Sequence, residues 1–171
     1  MDTDENDKSG AFPAEAGEPL TLQSIMQEDV VRADMDSTLG DAITLCFQHR
    51  IRHLPVVNNG KLVGIVTDRD LRFYVSHRLG TIMENNSDRE TLHHHLHVIM
   101  VRRLVSGRPG MTIAEGARLM IDHHVGCLPV VDAGNHLLGI VTANDFLRLI
   151  ADRKVVASPD MDPLPTSSMK T

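Results

Sequence analysis

Residues 64–71 read Gly64-Ile65-Val66-Thr67-Asp68-Arg69-Asp70-Leu71, and residues 139–146 read Gly139-Ile140-Val141-Thr142-Ala143-Asn144-Asp145-Phe146. The preceding stretch is repeated as well, since His53-Leu54-Pro55-Val56-Val57 returns as Cys127-Leu128-Pro129-Val130-Val131. An internal repeat predicts two copies of one supersecondary unit that pack together, because a single copy cannot bury its apolar face alone.

The two copies align at a nearly constant spacing. An offset of 74 residues places Ile25-Met26 on Ile99-Met100, and the offset becomes 75 after the Leu-Pro-Val-Val blocks. The extra residue falls where Asn58-Asn59-Gly60 is answered by Asp132-Ala133-Gly134-Asn135. Insertions concentrate in surface loops, so this shift supports the alignment.

Each copy predicts the order strand, helix, strand, turn, strand, helix. Thr38-x-x-Asp41 and Thr112-x-x-Glu115 are typical of capping boxes that open a helix. Apolar residues at helical spacing follow each box, and a second helix is expected to begin near Thr67 and near Thr142. The expected division is an acidic disordered leader (1–18), a first unit (19–78), a connector (79–92), a second unit (93–152) and a flexible tail (153–171).

Composition excludes several classes of protein. The first 18 residues hold six acids and one base, a balance of −5 that accounts for most of the net charge of −6. A nearly neutral remainder with no Trp and one Tyr offers neither a basic footprint nor stacking platforms for nucleic acid. Two cysteines, no long apolar run and a polar N-terminus predict a soluble cytoplasmic protein without membrane insertion.

The doubled Leu-Pro-Val-Val and Gly-Ile-Val-Thr-x-x-Asp pattern, each copy preceded by Ile-Met, resembles a tandem pair of CBS domains (a Bateman module) over about residues 20–152. The resemblance implies an α+β fold in which two βαββα units pack through their sheets with pseudo-two-fold symmetry. It further implies a regulatory homodimer that binds AMP, ADP, ATP or S-adenosylmethionine, with or without magnesium, and modulates a separate partner protein.

The resemblance also assigns the binding residues. In the first copy Thr67 and Asp70 correspond to a ribose clamp, and Arg52, His53 and Arg69 are candidates for phosphate contacts. Val31 and Val105 are expected to border the adenine. The second cleft is expected to hold less positive charge; its residues are Thr142, Asn144, Asp145, Gly126 and Cys127.

A simpler interpretation of Thr-x-x-Asp needs no ligand, because the same spacing caps a helix. A second alternative is an interaction scaffold without nucleotide binding. A third makes His93-His94-His95-Leu96-His97 a metal- or pH-responsive site, since four imidazoles lie close together in the chain. No pattern of nucleophile and base, paired carboxylates or phosphate-binding glycines is present, so we do not expect an enzyme.

Overall fold

The computed structural model describes residues 20–152, so the predicted leader and tail lie outside the described residues. Two short helical turns, Leu22–Ser24 and Thr91–His93, stand before the two units. The first unit contains β1 (Ala33–Asp34), α1 (Leu39–His49), β2 (His53–Asn58), β3 (Lys61–Thr67) and α2 (Asp68–Tyr74). The connecting region contains α3 (Asn86–Glu90) and α4 (Leu96–Ile99). The second unit contains α5 (Ile113–His123), β4 (Cys127–Val131), β5 (Leu137–Thr142) and α6 (Ala143–Asp152).

Both units are built on an antiparallel hairpin. In the first unit β1 pairs in parallel with β2, and β2 pairs with β3. In the second unit β4 pairs with β5, and a single parallel bridge between Gly107 and Val130 stands in the position of β1. The α+β class and the repeated unit are therefore confirmed, although the first strand of each unit is shorter than the repeat suggests.

The long helices begin and end on local signals that the sequence displays. Thr38 and Thr112 accept a hydrogen bond from the third helical N–H, and the acids of both boxes accept from the capping N–H in return. Arg50 and His124 end α1 and α5 in the left-handed conformation, with φ of 53° and 54°. Each provides the αL residue with which many helices close.

The segment that precedes each unit packs on the other unit. Gln27 exchanges two backbone hydrogen bonds with Ile140 of β5 (2.9 and 3.0 Å), and Val101 exchanges two with Ile65 of β3 (2.9 and 3.1 Å). Leu22 is fully buried in the core of the second unit, beside Leu128 and Val141. Leu96, Ile99 and Met100 lie in the core of the first unit in the same way. The two repeats are thus interlocked.

Where the leading segments exchange, the Met of each repeat packs against a Gly of the other repeat. A Cβ on Gly64 would stand 2.3 Å from Met100 Sδ, and one on Gly139 would stand 2.7 Å from Met26 Sδ. No Cβ approaches another atom that closely, so the thioether occupies the space that a side chain at the glycine would need. The Ile-Met and Gly-Ile-Val-Thr motifs therefore recur together because each Met packs on the glycine of the opposite copy.

The tips of the two hairpins also meet. Leu62 N–H donates to the carbonyl of Asn135 (2.9 Å), and Leu137 N–H donates to that of Gly60 (3.1 Å). Asn135 Nδ2 donates in turn to the carbonyl of Leu62 (2.7 Å). A small apolar cluster that includes Ile65, Cys127 and Ile140 lies where the units face each other. Hydrogen bonds and apolar contact together hold the units side by side.

The connector differs from its prediction. The Asn85-Asn86-Ser87 sequence is expected to break helical structure, yet Asn85 caps α3 and forms a box with Asp88. Asn is a poor residue within a helix and a strong one at its start, because its side-chain carbonyl satisfies a free N–H there. Gly80 does adopt the left-handed φ of 77° that ends local structure.

Candidate functional site

Thr67 and Asp70 stand at the point where β3 ends and α2 begins. The Thr67 N–H and hydroxyl both donate to Asp70 Oδ2, at 3.0 and 2.7 Å, and Asp70 N–H donates back to Thr67 Oγ1 at 3.2 Å. Both side chains are half-buried. Among residues 20–152 no hydrogen bond or ion pair reaches Asp70 Oδ1. One carboxylate oxygen is thus fixed by the cap, and the other is open to a hydroxyl donor.

The equivalent pair in the second unit is placed alike but neighbours a cation. Thr142 N–H and hydroxyl both donate to Asp145 Oδ2 at 2.7 Å. Arg148 Nη1 lies 3.9 Å from Asp145 Oδ1, the oxygen that is open in Asp70. The corresponding position after Asp70 is Phe73, whose side chain is exposed. The two clamps therefore differ electrostatically even though their caps match.

The capping geometry by itself indicates no ligand. Thr38 and Asp41 repeat the three distances of the Thr67 box almost unchanged, at 2.9, 2.7 and 3.2 Å, on the exposed face of α1. Thr112 and Glu115 do the same at the start of α5. What distinguishes Thr67 is the space beside it.

A cavity of about 220 Å³ opens between the two units next to Thr67. The first unit supplies His53, Ile65 and Thr67 to its wall. The second supplies two segments, one from the exchanged strand and one from the end of α5 through β4. Their lining residues are Val101, Arg103, Leu104, Val105, His124, Val125, Gly126, Cys127 and Pro129. The wall is largely apolar, with polar groups from both units converging on one side.

His53 is a half-buried titratable group in this wall. It begins β2 opposite Thr67, and its ring faces Gly126, where a Cβ would stand 3.2 Å from Nε2. Burial lowers the pKa of His53, the charge of Asp68 raises it in part, and that of Arg52 lowers it further. Burial also raises the pKa of Cys127 to about 12, so its thiol stays protonated and inert at neutral pH.

The structure distributes the other expected site residues in a different way from the sequence prediction. Gly126 and Cys127, which we assigned to the cleft of Thr142, lie in the cavity of Thr67. The exchange is the reason, since it brings the second unit's leading strand and the start of β4 against β3. Val105 lines the same cavity, whereas Val31 packs on the core of the first unit.

Two residues expected in the first cleft do not line the cavity. Arg52 and Arg69 are exposed, and so is Asn144, which is expected in the second cleft. The carbonyl of Arg52 accepts from the N–H of Asp68 at 3.0 Å, so its backbone closes the start of α2. Its side chain lies instead beside an open cleft of about 530 Å³ formed with Arg50 and Phe47.

Arg103 and His124 line the cavity but are not among the binding residues that the sequence analysis assigns. Arg103 follows the exchanged strand, and His124 is the left-handed residue that ends α5. Together with His53 they place positive or protonatable groups in the wall of the cavity.

The histidine cluster packs on the start of the first unit and does not line the cavity. His95 Nδ1 lies 2.7 Å from the carbonyl oxygen of Asp36, and His97 Nδ1 lies 3.6 Å from Asp36 Oδ1. The two rings stack at 5.5 Å. Within residues 20–152 no group of three His, Cys, Asp or Glu side chains is placed to hold a metal ion.

A larger cleft of about 810 Å³ lies on the outer side of the first unit, between α1, α2 and the connector. Apolar side chains such as Ile43, Leu71 and Leu92 line most of it, and neither Thr67 nor Asp70 is among them. Its polar side chains, among them Thr44, Asp68 and His77, all come from the first unit, whereas the cavity beside Thr67 takes polar groups from both units. We therefore place the candidate ligand site in the smaller cavity.

The repeat and its exchanged strands agree with a known family. Residues 22–77 and 96–152 each match the CBS domain family. The chain belongs to the CBS-domain family. A CBS domain-containing protein of Dictyostelium discoideum is 37% identical over 134 residues, which cover 77% of this chain and 91% of the relative. The tandem CBS resemblance of the sequence is thereby confirmed.

Solved structures of CBS pairs share the fold. The CBS domain pair of protein MJ0100, in complex with 5′-methylthioadenosine and S-adenosyl-L-methionine, superimposes with a TM-score of 0.67 at 25% identity, over 80% of this chain and 99% of that one. The cytosolic domain of the Mg²⁺ channel MgtE, in complex with ATP, gives 0.60 at 26% identity, over 78% and 49%. Among residues 20–152 of the present CBS pair, no helix has the length and apolar character to cross a membrane.

Proposed function

We propose that this CBS pair is a cytoplasmic regulatory module that binds an adenosyl ligand and modulates a partner protein. The observation that carries the proposal is the cavity between the units, where Thr67 and His53 of one repeat meet Arg103 and Val105 of the other. A ligand held there touches both units at once. Its binding energy then depends on how the units are arranged, which is the requirement for a regulatory site.

The chemistry of the wall fits a nucleoside with an anionic group. Apolar surface around Val105 and Ile65 suits a flat base, and Asp70 Oδ1 is free to accept from ribose hydroxyls. Arg103, His53 and His124 suit a phosphate or carboxylate. Relatives at 25 and 26% identity carry 5′-methylthioadenosine with S-adenosyl-L-methionine, and ATP, which supports an adenosyl ligand here.

The second clamp is proposed as a weaker site. Thr142 donates to Asp145 as Thr67 donates to Asp70, and Asn144 lies between them in the chain, in the first turn of α6. Val31 holds the position in the first repeat that Val105 holds in the second. Arg148 competes for Asp145 Oδ1, so a ribose hydroxyl has to displace a cation. Occupation of the first cleft before the second is therefore expected.

The cavity is small for a nucleotide. Small-molecule sites generally measure about 300–1,000 Å³, and the cavity of about 220 Å³ is smaller. A nucleotide therefore enters by opening the units or by extending past Arg103 into solvent. The first route changes the relative position of the two hairpins, and coupling of about 1–3 kcal/mol to a partner's affinity is typical of such switches.

The deciding experiment compares two aspartates that cap helices in the same way. Asp70→Ala and Asp41→Ala each remove one capping box, which costs about 0.5–2 kcal/mol of stability. Only Asp70 stands next to the cavity. Calorimetric titration with AMP, ATP and S-adenosylmethionine, with and without magnesium, is expected to show saturable binding that Asp70→Ala weakens at least tenfold and Asp41→Ala leaves unchanged.

If both variants bind the ligands with equal affinity, Asp70 acts only as a helix cap and does not bind ribose. An absence of heat with all three ligands, in folded protein free of co-purified nucleotide, would favour the scaffold alternative. That alternative draws its support from exposed apolar side chains on the helices.

We also propose that the module is a homodimer formed through its helices. Phe47 of α1 and Ile121 of α5 occupy equivalent positions in the two repeats, and their side chains are 84% and 68% exposed. Leu147 and Ile150 add apolar surface on α6. Large apolar side chains exposed on three helices favour an interaction surface there. A second copy of the chain covers this surface when the same residues of the two copies meet about a two-fold axis.

A further inference from the structure

His53 stands in the cavity without a protein partner for its ring. Within residues 20–152 no hydrogen bond or ion pair involves either ring nitrogen, although the ring is half-buried. Its Nε2 atom faces Gly126 at the point where a side chain on that residue would begin. The equivalent position in the second repeat is Cys127, so this imidazole is a property of the first unit alone.

The groups around His53 favour its neutral form in the free protein. Burial lowers the pKa of the imidazole most, Asp68 raises it, and Arg52 lowers it. The other ionisable groups of the cavity are Arg103 and His124, and the Cys127 thiol. Arg103 is a permanent cation, and the thiol stays protonated because burial raises its pKa to about 12. Among the described residues, the wall of the cavity holds no carboxylate to offset the positive groups.

An anion in the cavity reverses this balance. A negative charge within about 4–6 Å of an imidazole favours the protonated ring. Because His53 has no competing partner, its ring is free to donate to an anionic oxygen once it gains a proton. A cationic or neutral ligand provides no such attraction and leaves the ring neutral.

We propose that an anionic adenosyl ligand enters the Thr67 cavity together with a proton that His53 binds. This inference rests on the proposed function and adds the charge class of the ligand and its dependence on pH. Affinity for AMP then rises as the pH falls through neutrality, by about tenfold per pH unit at most, the limit for one linked proton. Adenosine, which carries no anionic group, does not share the rise that His53 provides.

The test is calorimetric titration of AMP near pH 7 in Pipes and in Tris, whose ionisation enthalpies differ. The dependence of the observed enthalpy on the buffer gives the number of protons taken up. His53→Gln keeps much of the side-chain volume but does not titrate. His49→Gln, on the exposed end of α1, is the matched control. Because the AMP phosphate also titrates near pH 6, the difference between variant and wild type is the informative quantity.

We expect proton uptake in the wild type and in His49→Gln that is larger than in His53→Gln, with adenosine binding equal in all three. Equal uptake in the wild type and His53→Gln would overturn the inference, as would its loss in His124→Gln alone. Binding of S-adenosylmethionine but not AMP would overturn it while leaving the proposed function intact. If none of the ligands binds, both fail.

A second variant guards against misfolding of His53→Gln. Gly126→Ala adds a methyl group that would stand 3.2 Å from His53 Nε2, so the ring has to shift by a few tenths of an ångström from its position in the cavity. Proton uptake with AMP is expected to fall in this variant too, although His53 itself is retained. Unchanged uptake in a folded Gly126→Ala protein would contradict the assignment.

Discussion

Adding one methyl group at Gly64 tests the exchange of segments between the repeats. In Gly64→Ala the new Cβ would stand 2.3 Å from Met100 Sδ, 2.7 Å from Cγ and 3.0 Å from Cβ. Met100 is 7% exposed and packed in the core of the first unit, so its side chain has no free space into which to move. The adjoining Val101 exchanges two backbone hydrogen bonds with Ile65 of β3 (2.9 and 3.1 Å), which resist movement of the segment as a whole.

The expected magnitude follows from two opposing effects. Overpacking a core of this kind lowers the free energy of unfolding by about 1–3 kcal/mol. Alanine in place of a strand glycine returns about 0.5–1 kcal/mol, because the unfolded chain loses freedom. We therefore expect a net loss of about 1–2 kcal/mol. Gly110→Ala is the control, since a Cβ there meets nothing within 4 Å, and it should change stability by about 0.5 kcal/mol or less.

A double-mutant cycle shows whether the two residues contact each other. Met100→Ala removes most of the thioether side chain and should cost about 2–5 kcal/mol. In the double variant the methyl group introduced by Gly64→Ala takes part of the vacated space, so the combined loss is smaller than the sum. A coupling of about 0.5–3 kcal/mol is expected for contacting residues. Urea unfolding of ligand-free protein at one fixed concentration gives all four stabilities.

Two results would refute the reasoning. If Gly64→Ala and Gly110→Ala unfold at the same urea concentration, the space at Gly64 is open. If the losses in the double variant simply add, Met100 does not pack on Gly64 and the leading segments do not exchange. Gly139 and Met26 provide an independent repetition of the cycle in the second unit, where the Cβ to Sδ distance is 2.7 Å.

Three further predictions concern the core, the cavity and the outer surface. Leu22→Ala should cost about 2–5 kcal/mol, and hydrogen exchange should show the loss first in β4 and β5, because Leu22 is buried among the residues of the second unit. Burial lowers the pKa of His53 in the folded protein, so the unfolded chain takes up a proton first when the pH falls below about 6.5. The free energy of unfolding therefore decreases as the pH falls. Urea midpoints measured from pH 7.5 to 5.5 should fall less in His53→Gln than in the wild type. Phe47→Glu with Ile121→Glu should convert the proposed dimer to a monomer in light scattering while the circular dichroism spectrum is retained, and a dimer that persists would place the interface elsewhere.

Local signals were sufficient to predict the elements. The Thr38 and Thr112 boxes start helices, the Asn-Gly turn joins β2 to β3, and alternating burial follows β3 as a pleated strand requires. These features depend on neighbours within a few residues. The sequence therefore contains all the information that such a prediction needs.

The exchange of segments left no such signal. Leu22 and Leu96 are both apolar and both precede an Ile-Met pair, so either repeat would accept either segment on hydrophobic grounds. The short connection from Gln27 to β1 favours neither pairing by its sequence alone. The sequence analysis assigned Gly126 and Cys127 to the second cleft, whereas in the structure they line the cavity beside Thr67, and it did not include Arg103 or His124 among the binding residues.

The repeated Thr-x-x-Asp motif shows why a site has to be argued from its surroundings. Asp41 and Asp70 have almost the same hydrogen bonds, and nothing in the motif separates a cap from a clamp. The difference is that the exchanged strand of the other repeat passes beside Thr67 and closes a cavity there. If so, any change that loosens the exchange, such as Gly64→Ala, should weaken ligand binding as well as folding, although Gly64 does not line the cavity. Affinity that stays constant while stability falls would show that the cleft forms within one unit and does not need the interlocked pair.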